Sequence, residues 1–250
     1  MDSRPASPRL RLLIADDNAV SRMIAAGLAE KLGHAADMAA DGEQALRMLA
    51  ERHYDLVLMD CEMPRLDGYA ATRRLRALEG NMRHTPVVAL TAALGEEERL
   101  SCLEAGMDDF LCKPLSLTGL EEVLARRSPA AADTRGTSET DGLEAVARHL
   151  GNRHPELATL WLDDCPHRLD ALRSAVADGD VMGAARAAHA LAGACASIGA
   201  REVSAQCQEM ERQARGGHAA GLADRLARIE AGCAEVAARL RQMLQSSVQS

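Results

Sequence analysis

Five short apolar runs alternate with helical patterns over the first half of the chain, and this alternation restricts the fold more than any other feature. The runs are LRLLIA (10–15), HAADMA (34–39, the weakest), DLVLMD (55–60), PVVALT (86–91) and DDFLCK (108–113). Between them, amphipathic spacing predicts helices at about 19–32, 42–52, 67–79, 96–105 and 116–127. Strands separated by helices cannot form tight hairpins, so they pair in parallel, with helices covering both faces of the sheet. In such doubly wound α/β sheets, ligands and reactive groups gather outside the carboxyl ends of the strands.

The second half reads differently. SPAAADTRGTSETD, residues 128–141, is small, polar and without apolar periodicity, which predicts a flexible linker. Residues 1–9 are predicted to be a disordered N-terminus. After the linker the strand signal stops. A short helix capped by Asp141 is expected to end near Gly151, and a second opens at Pro155, with a kink predicted at Pro166. A third follows Asp180 as N-cap and runs to about Ile198. A fourth covers 201–215 and ends at Gly216–Gly217. In the last, Leu222, Leu226, Ile229, Cys233, Val236, Leu240 and Met243 form one apolar stripe. Four main helices with short connections make an antiparallel bundle, placed at 142–246.

Composition excludes several functions. A net charge of −8 argues against broad binding to nucleic-acid phosphates, and one Phe, one Trp and two Tyr cannot furnish a base-stacking surface. No apolar run reaches the roughly 18 residues of a membrane span, and the N-terminus lacks the apolar core of a signal peptide. Seven cysteines without a CxxC pair fit a reduced, cytoplasmic protein, in which they serve as small apolar residues. The initial methionine favours a free-standing chain. Of 29 basic residues only Lys31 and Lys113 are lysine, and lysine offers a compact charge on a flexible stem where arginine offers a planar fork.

Lys113 ends the fifth strand. Asp16 and Asp17 follow the first, Asp60 ends the third and Thr91 the fourth. Carboxylates pushed together repel, and a divalent cation relieves the cost. Oxygen-only ligands favour a hard ion such as Mg²⁺. A carboxylate can also take up a phosphoryl group as a nucleophile, given positive charge and a hydroxyl around it. The competing reading makes each aspartate a helix cap or turn residue, and MPRLDG at 63–68 can equally be plain turn chemistry with Asp67 as a cap.

LLIADDNAVSR, LVLMDCEMPRLDGY, VVALTA and AGMDDFLCKPL occur in the order found in the receiver domains of two-component response regulators, which residues 10–127 resemble. The resemblance implies a flavodoxin-like (βα)5 fold with Asp60 as the phosphoacceptor. It also implies that Asp17 ligates Mg²⁺ directly, that Asp16 acts mainly through water, and that the Glu62 backbone carbonyl joins them. Thr91 and Lys113 would contact the aspartyl phosphate. Phe110 stands at the switch aromatic position, where it can signal by packing alone. Glu62 and Ala93 occupy positions that tune dephosphorylation.

In AAHALAGACASIGA (187–200), His189 is surrounded by alanine and glycine. On a helical wheel, Arg186, His189, Ala192, Gly193 and Ala196 share one face, and Leu191, Cys195 and Ile198 another. Gly193 costs a helix about 1 kcal/mol relative to alanine. Either a partner must approach the imidazole closely, or neighbouring helices pack closely there. This segment, followed by SAQCQEMERQAR, resembles the histidine-containing phosphotransfer (HPt) domain over about 142–245. That resemblance implies His189 as the phosphohistidine, with Gly193 granting access. Ala192 stands where the family often has lysine, and Arg186, one turn earlier, is a candidate replacement for its charge. The other seven histidines show no ligand-like spacing and are expected at the surface or in capping roles.

Together these readings describe a phosphorelay protein. A partner sensor histidine kinase phosphorylates Asp60 with Mg²⁺, and His189 exchanges a phosphoryl group with Asp60 or with the receiver domain of another response regulator. No nucleotide-binding glycine pattern provides ATP-dependent kinase activity. The alternatives are a binding module that docks to or inhibits a partner kinase with His189 unused, and a metal-dependent phosphatase.

Overall fold

A computed structural model describes residues 9–80, 83–91, 96–127 and 154–247. The predicted N-terminal tail, the linker, the short helix at 141–151 and Ala93 lie outside the described residues. Two compact units hold the parallel sheet and the helices from His154 onward.

Through the sheet region the order is β1 (Arg11–Ala15), α1 (Ala19–Lys31), β2 (Ala35–Ala39), α2 (Gly42–Glu51), β3 (Leu56–Asp60), α3 (Gly68–Glu79), β4 (Val87–Thr91), α4 (Glu96–Glu104), β5 (Asp109–Cys112) and α5 (Leu117–Arg127). All pairings are parallel, in the order β2-β1-β3-β4-β5. The sheet therefore reverses its winding between β1 and β3, and a crevice opens beyond their carboxyl ends. This is the flavodoxin-like fold expected. The runs in β1, β3 and β4 are continuously apolar because helices cover both faces, and Leu12, Leu13, Ile14, Val57, Leu58, Met59, Val87 and Val88 are fully buried. Each such side chain contributes about 1.5–3 kcal/mol of hydrophobic stabilisation.

The helix starts settle one ambiguity. The Asn18 side chain accepts the Val20 and Ser21 N–H groups at the start of α1. Asp41 accepts from Gln44 N at α2, and Asp67 from Ala70 N at α3. With these residues capping, Asp16 and Asp60 are left for the sheet edge. At the other end of β1, His34 departs from its expected surface position. It is buried, and its Nδ1 accepts the Leu10 N–H at 3.3 Å. Burial lowers its pKa.

The second unit contains α6 (His154–Ala177), α7 (Val181–Ser197), α8 (Arg201–Arg215) and α9 (Leu222–Ser247). Each packs on two others in the ring α6–α7–α8–α9, giving the antiparallel bundle. The helix α6 runs on through Pro166. The Asp180 carboxylate accepts the Gly183 N–H to start α7. Gly217 takes φ +77 just after α8, the left-handed conformation that ends helices. Trp161, Leu172, Leu191, Met210 and Ile229 are almost fully buried, with the thiols of Cys165, Cys195, Cys207 and Cys233 among the buried core residues. All seven cysteines are free. Among the described residues, no helix is long and apolar enough to cross a membrane.

Candidate functional sites at the sheet edge and on the bundle

The sheet topology brings Asp16, Asp17, Asp60, Thr91 and Lys113 to one edge. Asp16 and Asp60 are buried to 1% and 3% exposure, and Asp17 is half-buried. Lys113 Nζ reaches Asp16 Oδ2 at 2.8 Å and Asp60 Oδ2 at 2.6 Å. It is delivered by β5, where the Lys113 N–H donates to the Thr91 carbonyl at 2.7 Å. The Glu62 N–H donates to Asp60 Oδ1 at 3.3 Å. Gly68 makes room behind the site, since a Cβ there would lie 2.1 Å from the Asp60 carbonyl oxygen. The glycine of MPRLDG is thus a requirement of close approach, which plain turn chemistry would not impose.

Three carboxylates facing one ammonium leave an excess of negative charge. Burial pushes the Asp60 carboxyl up to about 7, Asp16 and Asp17 add to the rise, and Lys113 opposes it. For Lys113, burial disfavours the ammonium, but the Asp16 and Asp60 carboxylates overcome that and raise its pKa above the ordinary value. Oxygens of Asp16, Asp17 and Asp60 all lie within 4.8 Å of one another. Converging hard oxygens with surplus negative charge fit a divalent cation of the Mg²⁺ type. Phe110 is half-buried on β5, with the Arg99 guanidinium 6.0 Å from its ring centroid.

On the bundle, His189 projects from α7 with its side chain 19% exposed. Its Nδ1 lies 3.1 Å from each carboxylate oxygen of Glu211, on α8. Arg215, one turn further along α8, donates from Nε to Glu211 Oε1 at 3.0 Å. Burial works against the Glu211 carboxylate, but His189 and Arg215 outweigh it and hold its pKa below the ordinary value. An ionised carboxylate only accepts, so the neutral ring carries its proton on Nδ1 and its lone pair on Nε2. Sequence reasoning did not find Glu211.

The remaining predicted residues fall as follows. A Cβ on Gly193 would meet nothing within 4 Å, so close helix packing does not account for this glycine. Ala192 is buried, and its carbonyl accepts the Ser204 hydroxyl at 3.0 Å. Arg186 is exposed, and its guanidinium pairs with Asp180 at 3.8 Å.

Comparison with known proteins agrees with this division. The family model of the response regulator receiver domain matches residues 12–125, and that of the Hpt domain matches residues 156–249. Over 212 residues the chain is 34% identical to the sensor histidine kinase AruS of Pseudomonas aeruginosa, covering 83% of this chain and 21% of that protein. Over 221 residues it is 30% identical to the sensory/regulatory protein RpfC of Xanthomonas campestris, covering 82% of this chain and 30% of that one. The chain thus spans less than a third of the length of either relative. Among solved structures it is similar to the receiver domain of sensor histidine kinase PA1611 from Pseudomonas aeruginosa, which holds a magnesium ion in its active-site cleft. The identity is 41%, with 47% of this chain and 96% of that one covered and a TM-score of 0.44. The carboxylate edge and the histidine face belong to a chain that joins a response regulator receiver domain to an Hpt domain, two modules of two-component phosphorelays.

Proposed function

We propose that the protein passes phosphoryl groups between Asp60 and His189-type stations of a relay, receiving them from a partner histidine kinase and exchanging them with its own or another receiver. The observation that carries this reading is the presence of two prepared nucleophiles in one chain: a buried carboxylate 2.6 Å from Lys113 Nζ, and an imidazole whose Nδ1 lies on Glu211.

At the sheet edge, one Asp60 oxygen attacks phosphorus as the bond from phosphorus to a donor imidazole nitrogen breaks. Lys113 and the Thr91 hydroxyl would meet charge on the transferred group. Asp16, Asp17, Asp60 and the Glu62 carbonyl would hold Mg²⁺, which when bound neutralises charge on the carboxylates and phosphoryl oxygens. On the bundle, the Nε2 lone pair attacks the phosphorus of an aspartyl phosphate, and the acyl-phosphate O–P bond breaks. The ring becomes cationic, and the Glu211 carboxylate stabilises it through the Nδ1 proton, the role a carboxylate plays beside a catalytic imidazole. Both phosphorylated forms are high-energy, so exchange runs in either direction.

Incubation with a phosphorylated receiver tests this. Acid-labile, base-stable phosphate should appear on His189 and vanish in His189→Gln, while Asp60→Asn should lose phosphorylation by a kinase or a small acyl phosphate. A wild-type chain that takes up no label at His189 would leave the docking-module reading in its place.

A further inference from the structure

Cys61 directly follows Asp60, and its thiol lies 3.9 Å from that of Cys102 on α4. Both residues are buried, at 4% and 3% exposure. Tyr69, in the first turn of α3, is half-buried and packs against the core cluster that contains both cysteines. A disulfide needs sulfurs about 2.05 Å apart, so the gap to close is about 2 Å, to be shared between two side chains and their elements. The phosphoryl chemistry uses neither thiol.

The geometry points to a redox modification site: Cys61 and Cys102 form a disulfide when the protein meets hydrogen peroxide, and the bond slows phosphorylation of Asp60. In the first step one sulfur attacks the peroxide, its O–O bond breaks, and a sulfenic acid and one water result. The second thiol then attacks that sulfur, the S–S bond forms, and a second water leaves. Two thiols and one hydrogen peroxide become one disulfide and two waters, with two electrons passing from sulfur to oxygen.

The consequence follows from what Cys61 holds. Its N–H donates to the Leu90 carbonyl at 3.2 Å, and its carbonyl accepts the Gly68 N–H at 3.0 Å. Drawing its sulfur toward α4 shifts the backbone between Asp60 and the Glu62 carbonyl. The slowing rests on the reading of Asp60 as phosphoacceptor, whereas the bond itself does not.

The test uses the full chain, reduced, exposed to hydrogen peroxide, blocked with an alkylating reagent and digested for mass spectrometry. The expected result is a peptide containing Cys61 joined to one containing Cys102. The rate of Asp60 phosphorylation from a small acyl phosphate should fall at least fivefold, and dithiothreitol should reverse both changes. Cys102→Ala and Cys102→Val should abolish the link and make the rate indifferent to peroxide. Separately alkylated Cys61 and Cys102 in peroxide-treated protein, with oxidation confined to exposed Cys112 or to the bundle thiols, would overturn the site. A complete link with an unchanged rate would overturn its regulatory effect. Failure of the reduced protein to phosphorylate at all would count against the phosphoacceptor reading instead, and the mass spectrum would still decide the bond.

Discussion

Asp60 and His189 sit in surroundings built on different plans. The Asp60 edge draws its side chains from the ends of β1, β3, β4 and β5, and its decisive contact is one half-buried cation between two carboxylates. The His189 face draws on two helices, and its decisive contact runs from the imidazole to one carboxylate, itself held by an arginine. The first plan concentrates charge that a transferred group or a cation must satisfy. The second sets a tautomer through one carboxylate contact. The comparison teaches that a sheet edge can activate by electrostatics, whereas a helical face activates by orienting a single group.

The largest effect should come from breaking the electrostatic plan. Lys113→Met removes the sole cation paired with Asp60 among the described residues, and leaves Asp16 and Asp60 facing each other. Loss of one prepared positive donor at a phosphoryl or oxyanion site typically costs about 10²–10³ in rate. Phosphorylation of Asp60 should fall by about that factor, measured with a small acyl phosphate. Labelling of His189 by a separate phosphorylated receiver should change less than about twofold. An equal loss at both stations would show that Lys113 acts through folding.

The next effect tests the orienting plan. Glu211→Ala removes the acceptor at Nδ1, and a charge-assisted hydrogen bond is worth about 1.5–3 kcal/mol. Transfer to His189 should slow about 10- to 100-fold, with Glu211→Gln between the two, as assayed by label on His189. Glu211 also yields a pH dependence. Its folded pKa lies below the ordinary 4.5 because His189 and Arg215 outweigh its burial. Such a group stabilises the fold fully above its unfolded pKa, and that contribution fades as pH falls through the folded value. Gln does not titrate. The unfolding midpoint of the natural chain should exceed that of Glu211→Gln near pH 6, and the gap should close toward pH 3. Emission from Trp161, the chain's single tryptophan, is buried in the bundle and reads that unit alone. A gap that widens on acidification would refute the assignment.

How far each site could be read in advance follows the same division. Strand ends are set by apolar runs, so Asp16, Asp17, Asp60, Thr91 and Lys113 were legible once a parallel sheet was inferred. Even the weak run HAADMA becomes a strand, because β1 pairs with it from Arg11 to Ala15. The ambiguity between cap and site needed coordinates, since only they show Asn18 and Asp67 taking the capping bonds. Glu211 was not legible from helical periodicity, which relates residues within a helix and not across a turn. A usable signal did exist: His189 and Glu211 lie equally far from Ala200, the N-cap of α8, so an antiparallel pair brings them level. His34 was misjudged for a related reason, as its partner is a backbone N–H on a neighbouring segment.

The smallest effects concern what surrounds the imidazole. Gly193→Ala puts a methyl group where nothing lies within 4 Å and removes a helix-interior glycine. The bundle should gain up to about 1 kcal/mol, with transfer to His189 changed less than about threefold, whereas Gly193→Leu should obstruct an incoming receiver. Arg186 marks the lower limit. It stands one turn before His189, but its guanidinium is exposed and lies 3.8 Å from the Asp180 carboxylate. In this arrangement the guanidinium is turned toward the start of α7, and an exposed pair of this kind contributes little. Arg186→Ala should alter phosphohistidine lifetime and transfer rate less than about twofold. A larger loss, particularly one suppressed by salt, would mean that the arginine leaves Asp180 when a phosphorylated partner docks. Charge would then contribute at the bundle as it does at the sheet edge.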